Sequence, residues 1–262
     1  MKKLAVVNQK GGVGKTTTAV QTASYLAKTG NRVLSVDLDA QANLTSTMFG
    51  GSERDETKPT VYDVLVGKAR ISEAIAEVDN GWLLPAASDI ACSDKRLAAI
   101  DAEIGNKPNR YYLLKEALEA VDDLFDYVVM DTPPAADTCS YNALTAADRA
   151  IIVTEASEYS LRAINDLSES IGQIRKYTNP GLEIAGVLVT KCEGQTILAR
   201  AMCKGAAEIA EALGTTTFQS RIRKAVAIGE SQAQEQSIFD YAPESDVAKD
   251  YQKFIEELTK GF

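Results

Sequence analysis

The chain has 262 residues, 45% apolar and 25% charged, with a formal net charge of −9. That length supports one substantial α/β core, and the acidic balance removes any global pull toward nucleic acid or anionic lipid, so such contacts need a local basic patch. Histidine is absent, which excludes imidazole acid–base chemistry and most zinc sites, and the four scattered cysteines form no C-x-x-C pair and are expected to be free thiols in a reducing compartment. No signal-like segment and no run of about 18 apolar residues is found, so a cytoplasmic protein is expected.

Taken in order, residues 3–8 form an almost continuous apolar run, predicted as a strand buried on both faces. Residues 14–28 are predicted as a helix with Ala19, Ala23, Leu26 and Ala27 on one side, ending near Gly30. Residues 32–37 give a second buried strand, which closes a right-handed βαβ unit. A polar loop is expected over 50–59, then two short helices within 60–79, TVYDVLVG and ISEAIAEV. A short strand at 82–85 follows, then helices at 88–104 and 110–121 separated by Gly105-Asn106-Lys107-Pro108. Strands at 125–131, 149–154 and 182–190 alternate with helices at 138–147, 157–177 and 195–213. A short strand near Thr217 and Phe218, a helix around 222–230 and a closing helix over 243–258 complete the chain. Strands alternating with helices along the whole length predict an α/β fold: one domain spanning 1–262, with a single doubly wound, mostly parallel β-sheet flanked by helices.

Three segments at predicted strand ends carry chemistry, because open α/β sheets bind ligands there. The first is Lys10-Gly11-Gly12-Val13-Gly14-Lys15-Thr16-Thr17. Its glycines let the backbone turn its N–H groups toward phosphate oxygens, and the following helix adds the positive end of its dipole. Lys15 is placed for the terminal phosphates and the Thr16 hydroxyl for Mg²⁺. Gln9 stands where a standard phosphate loop has glycine, and a second lysine, Lys10, follows it. The second segment is Asp37-Leu38-Asp39, where a carboxylate could orient a water; Asp37 could equally end the strand and cap the next helix. The third is Asp131, which ends the YVVMD strand.

The string KGGVGKTT resembles the deviant Walker A box, KGGxGK[ST], of the ParA/MinD class of ATPases. The resemblance runs from residue 2 to about 190 through specific motifs and more loosely to the end. It implies a P-loop NTPase of the deviant Walker A class that uses ATP and Mg²⁺. DLDAQANLT resembles the family's D-x-D-P-Q-x-N-x-T, with Ala40 in place of proline; this implies a hydrolytic role for Asp39 and a softened switch backbone. Asp131 with Thr132-Pro133-Pro134 resembles the Walker B acid and its D-[TCS]-P-P, which implies Mg²⁺ held through a water or through Thr16. In that class the lysine corresponding to Lys10 crosses a dimer interface to the partner's nucleotide. The implied function is a partition ATPase with slow intrinsic turnover. Its ATP-bound homodimer would hold DNA non-specifically at the nucleoid, and a ParB-like centromere-binding protein would stimulate release. No N-terminal helix-turn-helix is expected, because the chain begins at the first strand.

Between 191 and 224 six basic residues stand against three acids. Arg200, Lys204, Arg221, Arg223 and Lys224 are the candidate DNA contacts, with Arg221-x-Arg223-Lys224 the densest group. The alternative is a MinD-like positioning ATPase anchored to membrane or cargo by its last helix. There Phe254, Leu258 and Phe262 share one face, but Glu256 and Glu257 carry the wrong charge for anionic lipid, so packing onto the domain is expected. A nitrogenase-iron-protein type lacks support from the surroundings of Cys92 and Cys139. A non-hydrolysing scaffold is disfavoured by Lys10, Asp39 and Asp131 together. Turns near Thr190-Lys191 and Phe218 are candidates for adenine contact.

Overall fold

The computed structural model describes residues 1–50, 55–78, 88–155, 160–193, 197–260 and 262, leaving aside the side chains of 88–90, 160–166 and 197–202. The expected strand at 82–85 lies outside the described residues.

β1 (Lys2–Val7) buries its last four residues, α1 (Lys15–Lys28) turns the chain back, and β2 (Val33–Asp37) is buried throughout. After α2 (Asn43–Phe49) and α3 (Val61–Val66), the chain departs from expectation. ISEAIAEV divides into a single turn, α4 (Ile71–Ala74), and a strand, β3 (Ile75–Val78), because that strand pairs antiparallel with β4 (Ser88–Ala91). Partner strands override local helix preference here. The helix expected over 88–104 is thereby also divided. Its first residues join the sheet, and Asp94 starts a fresh element by accepting the Arg96 amide at 2.7 Å. A 3₁₀ segment (Lys95–Ala99) and α5 (Ile100–Ile104) follow.

From there α6 (Leu113–Glu119), β5 (Tyr127–Asp131), α7 (Thr138–Ala146), β6 (Arg149–Glu155), α8 (Ser160–Tyr177), β7 (Glu183–Thr190) and α9 (Ile197–Ala212) lie close to the predicted spans. The strand expected at 217–218 reduces to a bridge between Thr217 and Val187. The next helix, α10 (Val226–Ala233), starts four residues later than expected. Residues 222–224 stay extended instead, because the Ile222 and Lys224 amides donate to the Val189 and Cys192 carbonyls, each at 3.0 Å. α11 (Ile238–Tyr241) and α12 (Asp246–Thr259) close the chain.

The seven strands run in the order β3-β4-β2-β5-β1-β6-β7, parallel except for β3 against β4. Two cores cover the two faces: one beneath α3 to α9, the other beneath α1 and α12. α12 buries Val247, Tyr251, Phe254, Ile255 and Leu258 along one stripe, as expected for a helix packed on the domain. Each such side chain contributes about 1.5–3 kcal/mol. Phe262 lies half-buried, with the Arg149 guanidinium 4.2 Å from its ring centre.

Side chains alternate along a strand, so parity decides what each face receives. Val33, Val129, Val153 and Leu188 face α1. Two residues further, the same parity brings Asp131, Glu155 and Thr190 to the α1 face at the C-terminal ends of β5, β6 and β7, and Asp37 in β2 shares it. Asp37 and Asp131 are register partners on neighbouring strands.

Candidate nucleotide site

The phosphate loop leaves β1 through Asn8, whose side-chain amide donates to the Val153 carbonyl at 2.7 Å and whose oxygen accepts the Lys10 amide at 2.8 Å. Gln9 reaches sideways to the Ser170 hydroxyl of α8 at 3.3 Å. Gly12 and Gly14 then adopt φ of +77° and +93°, a region that penalises any side chain. Gly14 caps α1 in this conformation, and the amides of the first helical turn have no intrahelical acceptor. Val13 is buried in the core beneath α1, and Thr190 donates to its carbonyl at 2.7 Å, pinning the loop to the end of β7.

Lys15 is buried, and its ammonium donates to the Lys10 carbonyl at 3.1 Å. Burial lowers its pKa, while Asp131 and Asp39 oppose that shift. A phosphate oxygen can replace the carbonyl as acceptor without moving the helix.

The acids divide in role. Asp37 is fully buried; its carboxylate accepts the Thr45 amide at 2.8 Å, the Thr45 hydroxyl at 2.7 Å and the Asp39 amide at 3.1 Å. It therefore ties down the 38–45 loop, which answers the open question about this residue on the structural side. Asp39 lies in the cleft, with its carboxylate accepting the Gln41 amide at 3.0 Å and its carbonyl accepting the Ser93 hydroxyl at 2.6 Å. Asp131 is fully buried, and neither of its oxygens has a hydrogen-bond partner at bonding geometry. Burial raises its pKa, Asp37 and Asp39 add to the rise, and Thr16 and Lys15 counter it. Burial likewise raises the pKa of Asp37. An unpartnered carboxylate beside the Thr16 hydroxyl suits a hard cation that takes oxygen ligands, which is the donor set Mg²⁺ requires.

Around this floor lies an open cleft of about 650 Å³. Gly11, Gly12, Gly14, Lys15, Thr16, Thr17, Asp39 and Lys191 line it on one side, and Ile228, Gln232 and Glu235 approach from α10 and its end. Gln232 donates to the Thr17 hydroxyl at 2.8 Å, and Glu235 accepts from Ser46 at 2.7 Å. Sequence reasoning did not place Asn8, Glu155, Gln232 or Glu235 here. Strand parity could have found Glu155; nothing local announces Gln232, which arrives from more than two hundred residues away. Of the two adenine candidates, Lys191 borders the cleft. Phe218 does not line it, but packs edge-on against Phe254 with ring centres 4.9 Å apart.

The basic group near 221–224 is heavily paired. Arg223 contacts Asp250 and Asp246, each at 2.6 Å, Lys224 contacts Glu193 at 2.6 Å, and Lys204 approaches Glu208 at 3.9 Å. Arg221 is exposed. The Arg200 side chain lies outside the described residues.

A phosphate loop between β1 and α1, strand-end acids and a parallel sheet define a P-loop nucleotide-binding α/β protein. The family model for an AAA domain matches residues 1–184. The chromosome-partitioning ATPase Soj of Thermus thermophilus is 35% identical over 258 residues, covering 98% of this chain and 95% of the relative. The sporulation initiation inhibitor protein Soj of Bacillus subtilis is 34% identical, covering 98% of each. Among solved structures, cobyrinic acid a,c-diamide synthase of Mycobacterium smegmatis, with bound ADP and magnesium, superposes with a TM-score of 0.82 at 29% identity, covering 97% of this chain and 92% of that one. The chain belongs to the ParA/Soj family of ATPases.

Proposed function

We propose that this chain is an ATP-hydrolysing partition protein whose ATP-bound form is a homodimer that holds DNA non-specifically. The observation that carries the reading is a cleft lined by the phosphate loop and Asp39, with the buried, unpartnered Asp131 carboxylate set behind it near Thr16 and Lys15. In this reading the loop amides and Lys15 bind the phosphates of ATP. Thr16 and Asp131 hold Mg²⁺, which supplies charge neutralisation at the phosphate oxygens. Asp39 orients the attacking water. Lys10 reaches the nucleotide of the partner subunit and places positive charge where negative charge develops. DNA phosphates bind Arg200, Lys204, Arg221, Arg223 and Lys224. Arg223 and Lys224 exchange their carboxylate partners for phosphate. Dimerisation doubles the patch and ties DNA affinity to ATP. A ParB-like partner accelerates an intrinsically slow turnover, and the protein works on the nucleoid.

The buried apolar stripe of α12 supports this reading over a membrane-anchored positioner. Among the described residues no helix is long and apolar enough to cross a membrane. Co-sedimentation with plasmid DNA tests the proposal. Retention with Mg-ATP, its absence with Mg-ADP and its loss at high salt are expected. Retention in neither nucleotide, or only on anionic vesicles, would overturn it.

A further inference from the structure

Lys10 does not point freely away from the loop in this structure. Glu155, the last residue of β6, reaches across and accepts from the Lys10 ammonium at 2.5 Å. Its second oxygen faces the Lys191 ammonium at 3.5 Å, and Lys191 in turn donates to the Gly12 carbonyl at 2.5 Å. One carboxylate thus lies between two lysines on either side of the phosphate loop. The Lys10 and Glu155 side chains are 30% and 24% exposed, so solvent screening of their pair is partial. Burial pushes the Glu155 carboxyl up, yet the Lys10 contact and the two nearby ammonium charges carry it below the usual range. Lys191 also holds φ of +53°, an uncommon conformation for a residue with a side chain. Such outliers persist where surrounding contacts hold them.

We infer that Glu155 is a positioning residue that sequesters Lys10 within its own subunit, so that dimerisation on ATP requires the Lys10–Glu155–Lys191 cluster to open. The inference rests on the proposed cross-subunit role of Lys10. In the proposed dimer the Lys10 ammonium leaves its own subunit's carboxylate for the partner's phosphates. Opening the cluster therefore sets a threshold that phosphate binding must exceed. A partly exposed pair of this kind shifts an equilibrium by up to about fivefold. Two subunits open two clusters, so the dimerisation constant should carry the square, up to roughly thirtyfold. Lys191 borders the phosphate cleft and shares the same carboxylate, so nucleotide that draws Lys191 away leaves Glu155 to Lys10 alone and raises the threshold.

The test uses the full chain and two readouts. The first is the rate at which acetic anhydride labels Lys10 without nucleotide, read by mass spectrometry relative to the exposed Lys204. Glu155→Gln should raise it several-fold, and Glu155→Asp should give a smaller rise. Unchanged labelling in Glu155→Gln would overturn the inference, whatever the oligomeric state. The second is the protein concentration at half-dimerisation in a Mg-bound, non-hydrolysable ATP analogue. It should fall by roughly two- to thirtyfold in Glu155→Gln; faster labelling without a fall would refute the threshold. If Glu155→Gln fails to fold, Lys191→Ala provides the second variant: loss of the competing cation should tighten Lys10 against Glu155 and slow Lys10 labelling, and unchanged labelling would count against the shared cluster. A wild-type chain that stays monomeric in the analogue would refute the proposed dimer, a separate result, and the labelling would still decide whether Glu155 holds Lys10.

Discussion

Replacing Asp131 with Asn should stabilise the nucleotide-free protein and weaken its response to Mg-ATP. The carboxylate is fully buried, has no hydrogen-bond partner and sits in register beside the buried Asp37. Its folded-state pKa is raised, chiefly by burial. An unfolded aspartate loses its proton near pH 4, whereas the folded one retains it to higher pH. Folded chains then bind more protons than unfolded ones, so stability falls as pH rises from about 4 through the raised folded value. Asparagine leaves a neutral polar group in the same place and removes only the cost of the charge, or of the proton taken up to avoid it, about 1.4 kcal/mol for each unit by which the pKa is raised. In a chain of this size each kcal/mol moves Tm by about 2–4 °C. Asp131→Asn should therefore melt several degrees above the wild type near pH 8, with the difference shrinking toward pH 4. A ligand at a hundred times its Kd adds about 2.7 kcal/mol to the form that binds it. Mg-ATP should therefore raise the wild-type melting point more than the mutant's and close the gap. Calorimetry over this pH range, with and without Mg-ATP, reads both effects. A mutant that is less stable without nucleotide, or a difference independent of pH, would refute the reasoning.

Lys15→Ala should abolish ATP binding in a titration calorimeter while leaving the far-UV circular dichroism unchanged, because its ammonium donates to a loop carbonyl, that of Lys10, and not to a helix or strand. Asp39→Ala should retain nucleotide and lose hydrolysis by at least about a hundredfold, an order typical for removing one charge-stabilising or water-orienting group; phosphate release measures it. Phe254→Ala should cost about 3–5 kcal/mol in denaturant unfolding, since its ring is fully buried on the inner face of α12. Arg223→Glu together with Lys224→Glu should abolish ATP-dependent DNA retention without a comparable change in hydrolysis, and unchanged retention would remove this face as the DNA site.

The central strands were legible because parallel strands covered on both faces are nearly continuous apolar runs, as in VLSVD and YVVMD, each ending in an acid at the site. The phosphate loop was legible because its glycines and lysines have a local geometric purpose: Gly12 and Gly14 do take positive φ. Residues 75–78 and 88–91 were misread as helix, since their strand character comes from pairing with each other and no local pattern reveals a partner. The roles of Asp37 and Asp39 differ for a similarly non-local reason. Asp37 meets Thr45 across the loop, and sequence spacing alone leaves that contact open. Glu155 and Lys191 come to the site from separate strand ends, and Gln232 from a helix near the end of the chain. Such contacts depend on the closed fold. The basic group at 221–224 was visible as charge, but its ties to Asp246, Asp250 and Glu193 were not.

The most direct test of the account is the solution mass of Asp39→Ala in Mg-ATP, with turnover blocked, compared with the same variant carrying Lys10→Ala. Asp39→Ala should double in mass on ATP and stay single on ADP, and the added Lys10→Ala should keep it single in both. A single-chain mass in ATP, or doubling that survives the loss of Lys10, would contradict a nucleotide switch built on that lysine.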